Sequence, residues 1–260
     1  MFDLYHFIII FISFGAAFFS GLLGIGGGII VFPSFLFLIP FLGFKSFTVN
    51  EISGIAAIQS LSGVFFAYLS HRKFGDINLK LVKIVLPVGL VGALIGSVSA
   101  KFFSEKVLLI IYLFLLVMAM TLTLLPKVES ENQKVTYKPE KPLFINFIIF
   151  VATAVSGALG FAGAVSFIPI LNHFFKIPIK IAISATTLIV LITTTLVVAG
   201  KVFVGLVPFD IIPSIIIGAI FGANLGSKVN RHLQPSVLRT ILILVILTLG
   251  MRILFTVFEY

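Results

Sequence analysis

Polar residues interrupt this chain so rarely that it parses into ten apolar runs. They are Leu4 to Leu23, Ile29 to Leu42, Val49 to Ser70, Leu81 to Ala100, Val107 to Leu125, Leu143 to Gly160, Phe161 to Phe175, Ile181 to Gly200, Pro208 to Leu225 and Val237 to Phe258. A bilayer span takes about 20 apolar residues, so the pattern predicts an all-α membrane protein with 8–10 transmembrane segments. The one long polar stretch, 126–142, divides the runs five and five and reads as a cytoplasmic linker between a first transmembrane repeat, 1–125, and a second, 143–260.

The two halves carry the same punctuation. Ser20-Gly21-Leu22-Leu23-Gly24-Ile25-Gly26-Gly27-Gly28 leads to Pro33, and Ser156-Gly157-Ala158-Leu159-Gly160-Phe161-Ala162-Gly163-Ala164 leads to Pro169, in register at an offset of 136. Further on, Pro87, Gly92, Ala93 and Gly96 match Pro213, Gly218, Ala219 and Gly222 at an offset of 126. The chain is an internal duplication whose first segment in each half is broken by Gly and Pro. Paired breaks of this kind point to the substrate site of a secondary transporter.

As one helix, Leu4 to Leu42 would be about 58 Å long at 1.5 Å per residue, nearly twice a hydrocarbon core of roughly 30 Å. It has to bend, and the basic residues indicate how. If each long first segment runs out and back, thirteen of the eighteen Lys and Arg fall on one side, leaving Lys45, Lys101, Lys106, Lys201 and Arg252 on the other. A single crossing splits them ten to eight. The positive-inside bias favours the first arrangement: five segments per half, hence inverted repeats, with both termini outside. Ile29 to Leu42 is short for a full span, and a re-entrant half-helix is the other reading.

Composition narrows the function classes. The chain is 60% hydrophobic and 10% charged, far from the range of soluble domains. Its net charge of +9 is spread over short loops, which fits membrane orientation and not nucleic-acid binding. The first run lacks a basic flank, so it reads as a retained helix and not a cleaved signal. There is no cysteine, and His6, His71, His173 and His232 stand apart. No metal, cofactor or catalytic constellation is suggested, and the expectation is a non-enzyme.

The breaks suggest chemistry of their own. Gly26, Gly27 and Gly28 cost about 1 kcal/mol each relative to Ala in a helix, and in hydrocarbon their freed amides persist only if buried in protein or facing a wet cavity. If a half-helix starts at Ile29, the amides of Gly27, Gly28 and Ile29 become a backbone anion site at the positive end of a helix dipole. The counterpart at Gly160, Gly163 and Ala164 would approach from the opposite leaflet. Isolated glycines such as Gly21, Gly89, Gly92 and Gly96 are read instead as close helix contacts. Among polar residues inside runs, Gln59 and Thr194 lie near mid-membrane and are the side-chain candidates.

With Ser53-Gly54, Tyr68, Arg72, Gly75-Asp76-Ile77 and Gly92-Ala93-Leu94-Ile95-Gly96 added to the glycine runs, essentially the whole chain resembles the TauE/SafE family of sulfite exporters. The resemblance implies a prokaryotic inner-membrane permease that moves sulfite, sulfoacetate, thiosulfate or other sulfonates. It places the site at Gly24, Gly26, Gly27, Gly28 and Pro33, with Gly160, Gly163 and Pro169 in the second half. The second run departs from the first at Ala162 and Ala164, which makes the halves unequal. The expected function is export or exchange of a small anion through a midplane site, by rocking of one repeat against the other, in a monomer or homo-oligomer. An anion channel and a non-transporting scaffold are the alternatives.

Overall fold

A computed structural model describes residues 3–72, 78–124 and 141–259 of the chain. Nearly all of the linker assigned to 126–142 lies outside the described residues, as does Gly75-Asp76-Ile77. The described residues form no strand. Ten apolar helices account for the ten runs: α1 Leu4–Leu23, α2 Gly28–Phe41, α3 Val49–Arg72, α4 Leu79–Ser99, α5 Glu105–Leu124, α6 Pro142–Ala158, α7 Ala164–Phe174, α8 Ile179–Phe203, α9 Ile212–His232 and α10 Pro235–Glu259. Seven of these are long and apolar enough to cross a membrane, while α2, α6 and α7 are shorter. The chain is a multi-pass membrane protein.

The first long stretch folds back on itself. Gly24 ends α1 in the left-handed conformation (φ 69°), its N–H donating to Ser20 O at 2.7 Å. The chain then reverses so tightly that a Cβ on Gly27 would stand 2.7 Å from Ala16 O. By Phe44, just beyond α2, it has returned to the level of Tyr5, the two rings lying 5.2 Å apart. Although α2 spans only about 21 Å as a helix, the out-and-back path is therefore complete. Pro33, which has no N–H to give, is followed by a π-helical stretch at Ser34–Leu38 that widens the middle of α2.

The halves are interleaved. α1 lies along α9 in the same direction, Gly218, Gly222 and Gly226 meeting the backbone of Ile10, Phe14 and Phe18 in turn. α4 lies along α6 in the same way, with Gly92 against Phe150 and Gly96 against Ala154. A Cβ on Gly96 or on Gly226 would each sit 1.9 Å from the facing carbonyl oxygen, so neither seam could close over a side chain. These distances also revise the repeat register. Phe14 and Phe18 correspond to Phe150 and Ala154 at the offset of 136, so Gly92 is equivalent to Gly222 and Gly96 to Gly226. The second offset is 130, one helical turn from the 126 suggested by sequence, because glycines four residues apart match equally well one turn out of step.

Between the seams, α3 and α8 run in opposite directions. Ser53, near the start of α3, meets Lys201, near the end of α8. α1 ends beside Ile183 at the beginning of α8, whereas α6 ends beside Ser53 at the beginning of α3. α5 and α10 close the other flank, with Arg239 donating to Thr123 O at 3.2 Å.

Candidate functional site

The two breaks share one backbone design. Gly24, Gly26 and Gly27 have φ of 69°, 79° and 70°, and the residues 136 positions on, Gly160, Ala162 and Gly163, have 90°, 51° and 84°. The left-handed triplet is thus kept even where alanine replaces glycine, at a cost of about 1–2 kcal/mol for that residue. Each break then starts a helix. Gly27 O accepts from the amides of Ile30 and Val31, and Gly163 O from those of Ser166 and Phe167.

The breaks meet. A Cβ on Gly26 would lie 3.4 Å from that of Ala164, and one on Gly28 would lie 3.1 Å from the Phe161 ring. Phe32, Tyr112 and Phe161 stack around the junction with centroids 5.1 to 5.8 Å apart. Residues 21–29 and 156–171 are buried throughout, so the junction is closed to both faces.

The donor set is smaller than the sequence suggests. The Gly28 amide is taken by Gly26 O at 2.9 Å and that of Ala164 by Phe161 O at 3.1 Å. The amides of Gly27 and Ile29 in the first break, and of Gly163 and Val165 in the second, have no acceptor among the described residues. Beside the first break lies the Ser60 hydroxyl, fully buried and without a hydrogen bond, 3.3 Å from where a Gly26 Cβ would be. Beside the second, Thr193 Oγ1 is within hydrogen-bond reach of Ala162 O at 3.2 Å, in competition with Ile189 O of its own helix at 2.9 Å.

The side-chain candidates lie differently. Gln59 is fully buried and packs on Gly27, but it serves to tie α3 to α1. Its Oε1 accepts from Ser13 Oγ at 2.6 Å, and its Nε2 donates to Ser13 O at 3.2 Å. Thr194 donates to the Val190 carbonyl of its own helix, while its neighbour Thr193 is the residue that reaches a break. Pro33 and Pro169 are buried within α2 and α7. Pro33 leaves Ile29 O without its helical donor, and Tyr112 Oη fills the gap at 2.6 Å.

The charge count places Lys201 with the cations of one membrane face. In the structure it is fully buried, its ammonium donating to Ser53 Oγ at 2.7 Å and to Ala158 O at 2.6 Å, immediately before the second break. The readable sign was that apolar sequence resumes at Val202-Phe203, which carries α8 past the lysine.

A family model described as Sulfite exporter TauE/SafE matches residues 9–253. The chain is 22% identical over 253 residues to the probable membrane transporter protein YunE of Bacillus subtilis (strain 168), covering 91% of this chain and 92% of that one. It is 24% identical to the probable membrane transporter protein MJ0441 of Methanocaldococcus jannaschii, with 95% and 94% covered. Against the probable membrane transporter protein YdhB of Bacillus subtilis, identity is 24% with 95% and 100% covered. No solved structure matches.

Proposed function

Because the chain belongs to the sulfite exporter TauE/SafE family, we propose that it exports or exchanges a small sulfur-containing anion, of the sulfite, thiosulfate or sulfonate type, across a prokaryotic inner membrane. The observation that carries this reading is the meeting of two helix breaks at one buried junction, each with amides that lack an acceptor, beside the unpartnered Ser60 hydroxyl. Such amides need a ligand in a medium that offers no water. Two positive helix ends, each contributing from about 0.3 up to about 2 kcal/mol, hold an anion weakly enough to release it.

The opposed directions of α3 and α8 support reading the halves as inverted repeats, and the Lys/Arg bias is the basis for placing both termini outside. The halves do not rock as whole bodies in this mechanism. Each first helix is zipped to the fourth helix of the other half, so the flexing is assigned to the breaks at Gly24–Gly28 and Gly160–Ala164. An inside-negative potential drives export by about 2.3 kcal/mol per charge per 100 mV, with no coupling ion required.

The test is thermal stabilisation of the purified protein by sulfite, thiosulfate and sulfoacetate, with chloride and sulfate as controls, in wild type and Gly27→Leu. Selective stabilisation by one sulfur anion, lost in the variant, is the expected outcome. No selective shift with any of the three, together with no counterflow in proteoliposomes, would sink the reading.

A further inference from the structure

The two α-helices that lead into the breaks, α1 and α6, carry equivalent carbonyls in their last turns, Leu22 O and Ala158 O. Both are capped by a side chain from a neighbouring helix. Leu22 O accepts from Asn230 Nδ2 at 2.6 Å, and Ala158 O accepts from Lys201 Nζ at the same distance. In the packing register, Asn230 corresponds to Ala100, which is too short to reach, and the lysine comes instead from α8. A neutral amide therefore suffices for the cap in one half. The charge in the other half is surplus to it.

That charge is held in an expensive place. Lys201 is fully buried, its two hydrogen bonds are to a neutral hydroxyl and a carbonyl, and no described carboxylate pairs with it. An ammonium has three hydrogens to donate, so one remains. Burying a cation without a counter-charge costs several kcal/mol, and ionisable residues inside membrane proteins mark substrate and ion pathways. The lysine also adjoins the break directly. Its partner Ser53 presents a carbonyl oxygen 2.2 Å from where a Gly160 Cβ would be.

Resting on the anion-transport reading, we propose that Lys201 is the cationic group of the anion path, its ammonium form stabilised by the anion beside it. Its third N–H meets the anion between the second break and the face at which α1 begins. The counter-charge missing among the described residues is the transported anion itself. The two halves then differ in function: the first break offers backbone donors and a hydroxyl, and the second adds a full charge that discriminates anions from neutral solutes.

The test is sulfite counterflow in proteoliposomes with wild type, Lys201→Gln and Lys201→Arg, each checked for monodispersity and thermal unfolding. Gln is one bond shorter than Lys but keeps an N–H donor on the Ala158 side while removing the charge. The expected result is a rise of roughly tenfold or more in half-saturating sulfite for Lys201→Gln, with much of the affinity kept by Lys201→Arg. If Lys201→Gln does not fold, the double variant Ala100→Asn/Lys201→Gln restores the cap in the manner of Asn230, and the same rise is expected there. A folded Gln variant with unchanged half-saturation overturns the role of Lys201 while leaving transport intact. Wild type inert towards every sulfur anion overturns the transport reading, and this one with it.

Discussion

The hydroxyl of Tyr112 donates at 2.6 Å to the carbonyl of Ile29, the acceptor that Pro33 leaves without its helical partner. A proline inside a membrane helix is tolerated when another group re-satisfies the backbone it frees, and here the ring of that group also packs on Phe32, in the helix after the first break, and on Phe161 in the second. Tyr112→Phe keeps the ring stack and deletes the hydrogen bond. It should cost about 1–3 kcal/mol, the penalty of a buried unsatisfied carbonyl, and lower the midpoint of thermal unfolding in detergent. An unchanged midpoint would mean that the carbonyl has another donor.

Ala162 occupies a left-handed position that its counterpart Gly26 fills without strain. Ala162→Gly should therefore stabilise the protein, by about 0.5–1 kcal/mol once the extra backbone entropy of glycine is subtracted, and Gly26→Ala should destabilise it by more than that, since its Cβ would also crowd Ser60 at 3.3 Å. Paired thermal melts of the two variants give the signs directly.

Gly96 and Gly226 close equivalent seams, whereas Gly15, on α1, has nothing within 4 Å of a Cβ. Gly96→Val and Gly226→Val should each abolish the monodisperse peak in size-exclusion chromatography. Gly15→Ala should leave it intact and add up to about 1 kcal/mol of helix stability. Equal tolerance at all three positions would contradict the seam geometry.

Gln59 and its neighbour Ser60 should separate stability from binding. Gln59→Ala breaks the clamp on Ser13 and should cost about 1–3 kcal/mol. Ser60→Ala removes a hydroxyl that has no partner, so stability should hold or rise while anion affinity falls about three- to tenfold, the worth of one neutral hydrogen bond. Thermal melts with and without sulfite measure both quantities.

The ten helices and the position of both breaks were legible because apolar length and glycine clusters are local signals. The offset of 136 carried even the conformation, since three left-handed residues recur at it. What sequence missed depends on long-range packing. The seam register slipped by a turn because Gly92, Gly96, Gly218, Gly222 and Gly226 repeat every four residues. Mid-span depth singled out Gln59 and Thr194, yet depth does not say which way a side chain is satisfied: Gln59 packs on Gly27 but is spent on Ser13, while Ser60 beside Gly26 has no partner and Thr193 reaches Ala162 O. Lys201, close to the end of a helix, has the address of a surface cation, and only the arrival of Ser53 and Ala158 from distant segments encloses it.

The α1–α9 seam also has a consequence for how the chain is made. About 190 residues separate Leu23, at the end of α1, from Ile212, at the start of α9. At a synthesis rate of about 5–20 residues per second, α1 waits on the order of 10–40 s in the membrane before its partner emerges from the ribosome. During that time Phe14 and Phe18 have only lipid or an insertion chaperone for company. The seam face of α1 is thus among the last surfaces to be covered, and a ribosome stalled between α3 and α9 leaves α1 held by its clamp to α3, with Phe14 and Phe18 undocked.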